Sequence, residues 1–215
     1  MTFVLGLTGS IGMGKSSTAD LFRRCGVPVH DADAAVHALY DGPAADLIDK
    51  AFPGSVKDGR VDRAALGRIV LAAPERLKEL EDLVHPLVRE REEAFLAKAA
   101  MSGAPLAVLD VPLLLETGGE ARCDAVLVVT ASEEIQRQRV LARPGMTAEK
   151  LTAIMAKQMP DAEKRTKAHF LVDTSRGLAA AEAQVRGIVT CLAGRPGRRL
   201  TLAMAPRRNG QTDVA

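Results

Sequence analysis

The sequence predicts an α/β protein: a parallel sheet with helices on its faces, a long helical insertion, and a second, charged helical excursion. Three observations carry that prediction. Apolar runs near residues 3–8, 27–30, 105–110, 124–130 and 169–173 alternate with helical periodicities, as strands and crossover helices do. The stretch between the second and third runs has helical periodicity near 33–40, 43–51, 62–72 and 75–100 and no strand character. Residues 9–16 read Gly-Ser-Ile-Gly-Met-Gly-Lys-Ser, a complete G-x-x-x-x-G-K-[ST] phosphate-binding loop directly behind the first apolar run.

That first run, Phe3 to Thr8, reads as a strand. Ser17 to Arg24, with Ala19, Leu21 and Phe22 spaced for one face, reads as a helix. Strand before and helix after are the context in which such a loop binds phosphate. Gly9, Gly12 and Gly14 let the backbone wrap an anion with its N–H groups inward, and the helix N-terminus adds its positive end. Lys15 is expected to reach the β- and γ-phosphates, Ser16 to ligate Mg²⁺, and Met13 and Ser17 to complete the ATP site. A guanine-specific switch is disfavoured: the sole asparagine is Asn209, in the tail, and no Asp-x-x-Gly follows a strand.

Asp31-Ala32-Asp33 follows the second strand, at the edge where open parallel sheets bind ligands. A carboxylate there can take the proton of an attacking hydroxyl, or it can cap the helix starting near Ala34. Asp33 is the catalytic candidate, and Asp31 the supporting or capping one. Asp110 ends the strand Leu106–Leu109 and is a candidate Mg²⁺ ligand. Pro112, Leu113 and Glu116 continue along the crevice rim, Glu116 either touching substrate or serving as a surface charge. In the insertion, His85 and Arg89 lie one turn apart at a proline that is expected to weaken the helix. They suit a phosphate-bearing substrate or a structural helix break. Ser132 to Lys167, interrupted by Pro144-Gly145 and Pro160, reads as a lid or a solvated helix pair. Its Arg143 and Arg139 are candidates for closing over the triphosphate.

With 215 residues, 47% of them hydrophobic, the chain can build one α/β domain around a proper core. A net charge of +2 and an absence of tryptophan argue against a nucleic-acid partner. Three scattered cysteines suggest neither a disulfide framework nor a zinc site. The run around Leu106–Leu115 is too short and too interrupted to span a bilayer. A cytoplasmic protein without a membrane or obligate protein partner is expected.

Together, Gly6–Ser16, Asp31–Asp33, His85–Arg89, Asp110–Glu116 and Gln158-Met159-Pro160 resemble the dephospho-CoA kinase family in order and spacing, from about residue 3 to 190. The resemblance implies a three-layer P-loop kinase core (1–32, 104–131 and 168–193), a helical substrate region (33–103), a helical lid (132–167) and a tail from 194 to 215. It implies transfer of the ATP γ-phosphate, with Mg²⁺, to the ribose 3′-hydroxyl of dephospho-CoA. Asp33 matches the position that engages that hydroxyl, and His85, Arg89 and Pro112–Glu116 match the substrate side. Ser10, Met13, Ser17, Leu115 and His169 depart from the family's usual residues. The alternatives are a shikimate-type or nucleoside monophosphate kinase, and an ATP-dependent regulator without turnover.

Overall fold

The computed structural model describes residues 1–71 and 73–197, the Pro74 side chain excepted. Residues 198–215, most of the expected tail, lie outside the described residues. Five strands form one sheet in the order β2-β5-β1-β6-β7: β1 (Phe3–Thr8), β2 (Val29–Asp31), β5 (Leu106–Asp110), β6 (Ala125–Thr130) and β7 (Phe170–Asp173). β1 pairs with β6, and β6 with β7, both in parallel, with Leu7 opposite Leu127 and Val129 opposite Val172. Every residue of β1, β5 and β6 is buried. Strands covered on both faces need continuous apolar runs, which is why their sequences do not alternate.

The chain divides into two compact units. The larger comprises Met1–Val29, Ala99–Val108 and the described residues from Pro112 onward; the second comprises His30–Lys98 and Leu109–Val111. In the larger unit, α1 (Lys15–Arg24) and α9 (Leu178–Leu192) bring Leu21, Phe22, Ala181, Val185 and Ile188 against Leu5, Leu7, Leu127 and Val129. The charged excursion forms three helices. They are α6 (Glu133–Leu141), capped by the Ser132 hydroxyl on the Ile135 N–H; α7 (Ala148–Met155), capped by Thr147; and α8 (Asp161–Thr166), started by Pro160.

The second unit carries α2 (Ala32–Tyr40), α3 (Ala45–Ala51), α4 (Arg63–Leu71) and most of α5 (Pro74–Met101). Leu39, Ile48, Phe52, Leu66, Leu80 and Val84 make its core, and Arg76 stacks on the Phe52 ring at 4.5 Å. Two expectations are corrected here. A short hairpin of β3 (Val56–Lys57) and β4 (Arg60–Val61) interrupts the all-helical stretch, turning at Asp58 and Gly59, both with positive φ. And Pro86, read as a helix break, does not interrupt α5, which runs unbroken through it. Leu80 and Val84 before the proline and Leu87 and Val88 after it all pack into this core, outweighing one lost backbone bond.

His30, 8% exposed, lies against the Phe95 ring at 5.2 Å, with its Nε2 buried and unpartnered. Burial holds its pKa below the ordinary histidine value, against the opposing pull of Glu92 and Asp31. The unfolded chain therefore binds a proton more readily than the folded one. This contribution is complete above about pH 6.5 and is lost as the pH falls through the lowered folded value. The melting temperature is expected to drop between about pH 7.5 and 5.5, and to drop less in a His30→Phe variant. Parallel declines in the two proteins would show that His30 is not the responsible group.

Candidate functional site

Between β1 and α1 the backbone turns through Gly12 and Gly14, at φ +79° and +95°, with Met13 N–H donating to the Ser10 carbonyl at 3.2 Å. A side chain at either glycine would be strained, and a Cβ on Gly12 would come within 2.5 Å of Val140. Three successive carbonyls of this loop are held from outside. Gln136 Nε2 donates to Ile11 O at 2.7 Å, Arg139 Nη1 approaches Gly12 O at a long 3.5 Å, and Thr174 Oγ1 donates to Met13 O at 2.8 Å. A trans peptide is planar with its C=O and N–H opposed, so each anchored carbonyl turns the following N–H the other way. The Ile11 N–H is itself taken by Gln158 Oε1 at 3.0 Å. Met13 adds a further tie, its Sδ accepting from the Ala131 N–H at 3.0 Å.

Arg139 also donates to Thr174 Oγ1 at 2.7 Å and Thr174 O at 2.9 Å, so it joins α6, the loop and the end of β7. Beside the loop opens a cavity of about 460 Å³, bounded by Gly12, Gly14, Ser17, Thr18, Leu21, Arg139, Arg143, Thr174 and the first residues of α9, Leu178 and Ala181. That volume, with one apolar wall and one of backbone and guanidinium, suits a small ligand with an apolar and an anionic end. Thr174, Leu178 and Ala181 carried no sequence signal as site residues. They reach the loop only because β7 lies beside β6 in the sheet.

The other candidates are placed as follows. Lys15 opens α1, with Ser16 and Ser17 exposed on its first turn. Arg143, exposed just beyond α6, faces the cavity. The Pro112 carbonyl accepts from Thr8 Oγ1 at 2.9 Å, and Leu113 beside it is 40% exposed. Glu116 turns inward: its Oε1 accepts from the Met159 N–H at 3.0 Å and lies 2.7 Å from the Nζ of Lys164, which is fully buried. Burial alone would raise the Glu116 pKa, but Lys164 and the Met159 N–H outweigh it and hold the carboxyl below its ordinary value. In the second unit, Asp31 caps α2, accepting from Ala34 N–H at 2.9 Å, and Asp33 is exposed in that helix's first turn. His85 and Arg89 are exposed one turn apart on α5, and Asp110, 2% exposed, closes β5.

The family model for dephospho-CoA kinase matches residues 3–180 of this chain. The dephospho-CoA kinase of Mesorhizobium japonicum is 61% identical over 194 residues, covering 90% of this chain and 98% of that protein. This chain belongs to the dephospho-CoA kinase family. The family member of Brucella melitensis is 55% identical, over 90% of this chain and 96% of its own length. Among solved structures, a Thermus thermophilus protein superimposes with a TM-score of 0.77 at 38% identity, over 88% of this chain and 97% of that one. The dephospho-CoA kinase of Campylobacter jejuni shares the fold, with a TM-score of 0.70 at 24% identity over 90% and 98% of the two chains. The chain is thus a kinase, an ATP-dependent phosphotransferase built on the P-loop fold.

Met13 and His169 each have a structural use. The Met13 sulfur supplies the acceptor for Ala131 described above. His169 Nδ1 accepts from the Val126 N–H at 3.2 Å, while its own N–H donates to Val126 O at 2.8 Å, so an imidazole closes the edge of β6.

Removing one member of a buried ion pair leaves the other charge uncompensated. Lys164→Met is expected to lower stability in urea unfolding by about 3 kcal/mol, with part of the loss restored in the Lys164→Met, Glu116→Gln double variant. Wild-type stability in the single variant would remove the pair from the list of stabilising contacts.

Proposed function

We propose that this enzyme transfers the γ-phosphate of ATP to the ribose 3′-hydroxyl of dephospho-CoA, giving coenzyme A and ADP. The observation that carries the reading is the loop whose carbonyls Gln136, Arg139 and Thr174 hold outward, leaving the opposed amides of Gly12 and Gly14 to receive phosphate oxygens. Phosphoryl transfer asks little covalent chemistry of a protein and a great deal of positioning and charge stabilisation.

In this reading Lys15 and the amides of Gly12 and of Gly14 to Ser17 bind the β- and γ-phosphates, the Met13 amide being held by the Ser10 carbonyl, and Arg143 meets the charge that develops on transfer. The adenine end lies against Leu21, Leu178 and Ala181. Asp33 orients the acceptor hydroxyl and takes its proton, Asp31 holding the first turn of α2 in place. His85 and Arg89 bind the acceptor's phosphates, and the Pro112–Glu116 segment, with Leu113 outward, shapes the acceptor rim.

Ser16 and Asp110 present hard oxygen donors, the type Mg²⁺ prefers. Among the described residues no group of three or more acidic, histidine or cysteine side chains forms a metal cage. That donor set fits an ion held mainly by substrate phosphates with one or two protein oxygens. When bound there, Mg²⁺ would neutralise charge on the β- and γ-oxygens. The cysteines at 25, 123 and 191 are unbridged, and no helix among the described residues is long and apolar enough to cross a membrane. In this reading the enzyme acts in the cytoplasm on ATP and dephospho-CoA, and its reaction requires no membrane, nucleic acid or protein partner.

The deciding assay follows ADP release from Mg-ATP with dephospho-CoA, adenosine, AMP or shikimate as acceptor. Turnover with dephospho-CoA, and coenzyme A as product, is expected; preference for another acceptor would overturn the proposal. Asp33→Asn is expected to reduce kcat by about 100-fold or more while ATP still binds. Near-normal turnover in that variant would exclude Asp33 as the base. Lys15→Met is expected to raise KM for ATP and lower kcat together, and unchanged kinetics would exclude the loop.

A further inference from the structure

The two glutamines that grip Ile11 are not explained by the transfer chemistry. They act on consecutive peptide groups and in opposite senses. Gln136, one turn before Arg139 on α6 and 3% exposed, donates its amide N–H to Ile11 O at 2.7 Å. Gln158, just after α7, accepts from Ile11 N–H at 3.0 Å. The partners fix both amides: a carbonyl takes only the NH₂ end, and an N–H only the oxygen end.

The Ile11–Gly12 peptide is the one whose carbonyl Gln136 holds, so Gln136 sets where the Gly12 N–H points. Gln158 holds the preceding Ser10–Ile11 peptide and prevents it from flipping its N–H into the cradle. Its neighbour Met159 gives its N–H to Glu116 Oε1, which anchors the Gln158-Met159 pair to the Lys164 ion pair. Gly12 has positive φ, a region with low barriers to peptide rotation for glycine, so without these two bonds the loop has several accessible shapes.

The geometry points to Gln136 and Gln158 as positioning residues for the triphosphate, which act through the Ile11 backbone and never touch ATP. The inference rests on the proposed reading of this loop as the ATP site. It assigns a donor to position 136 and an acceptor to position 158, and this difference is directly testable.

The same change, Gln→Glu, adds the same charge at both positions with almost no change of volume, but removes the needed donor only at 136. In Gln136→Glu, a buried carboxylate would face the Ile11 carbonyl, and KM for ATP is expected to rise by about 30-fold or more. In Gln158→Glu the acceptor survives, and KM for ATP is expected to rise by no more than about threefold, whereas Gln158→Met costs about tenfold. The neutral Gln136→Met, also about tenfold, covers the case in which Gln136→Glu does not fold. KM for dephospho-CoA should stay within about twofold in every folded variant, since the loop alone is disturbed.

The measurements are steady-state kinetics in ATP and in acceptor, with ATP titration calorimetry and melting temperatures on the same samples. A rise in KM for ATP that follows the donor and acceptor pattern supports the assignment. Equal effects of Gln→Glu at the two positions would overturn it, as would losses confined to melting temperature and kcat with KM for ATP unchanged. Failure of the wild-type protein to bind ATP would instead overturn the reading of the loop itself, and the assignment with it.

Discussion

A loop can aim its amides at an anion only if something else occupies its carbonyls. Left alone, a glycine-rich segment would bond to itself or rotate its peptides freely, and the entropy of ordering it would fall on the ligand. Here that ordering is completed during folding. Side chains from α6, from the Gln158-Met159 segment and from the end of β7 converge on Ile11, Gly12 and Met13. Thr174 stands at the centre: its hydroxyl donates to Met13 O and accepts from Arg139, while its backbone N–H bonds to Thr130. The ends of β6 and β7, α6, the Gln158-Met159 segment and the loop are thereby one hydrogen-bonded assembly within the larger unit.

This arrangement changes what the charged segment around residues 132–167 means. Exposed arginines on a helix suggested a cover over phosphates, and Arg143 remains on the cavity wall. Arg139, however, is engaged with Thr174, and Gln136 with the loop. These two residues, one turn apart on α6, point inward as braces. Glu116 shows a similar reversal: placed on the rim by its sequence position, its carboxylate meets a fully buried lysine.

How much of this was legible follows from range. Local signals are legible in the sequence. The five strands lie within two residues of their expected bounds, because buried parallel strands are continuous apolar runs. Asp31 was legible as a cap, and the Pro144-Gly145 break falls between α6 and α7 as expected. The hairpin at 56–61 escaped a periodicity search because two-residue strands have no period, although Asp58-Gly59 is itself a hairpin turn signal. α9 was not assigned, though Ala181, Val185, Ile188 and Leu192 are spaced for one face. Long-range pairings left no trace in sequence: nothing near Ile11 names Gln136 or Gln158, and nothing near Glu116 names Lys164.

The order in which the strands are made has its own consequence. β1 precedes the strands that flank it in sequence, yet it lies in the middle of the sheet, between β5 and β6. Its edges close late: Val4 N–H bonds to Asp124, 120 residues downstream, and Thr2 Oγ1 to Ala104, 102 residues downstream. The nascent β1 is therefore an apolar segment with both edges open until more than half the chain has left the ribosome, and such segments are the ones that pair wrongly. Nucleotide cannot rescue it at that stage, because the side chains that shape the loop come from residues 136 to 174. The loop motif is made well before the side chains that shape it and becomes competent only after they arrive.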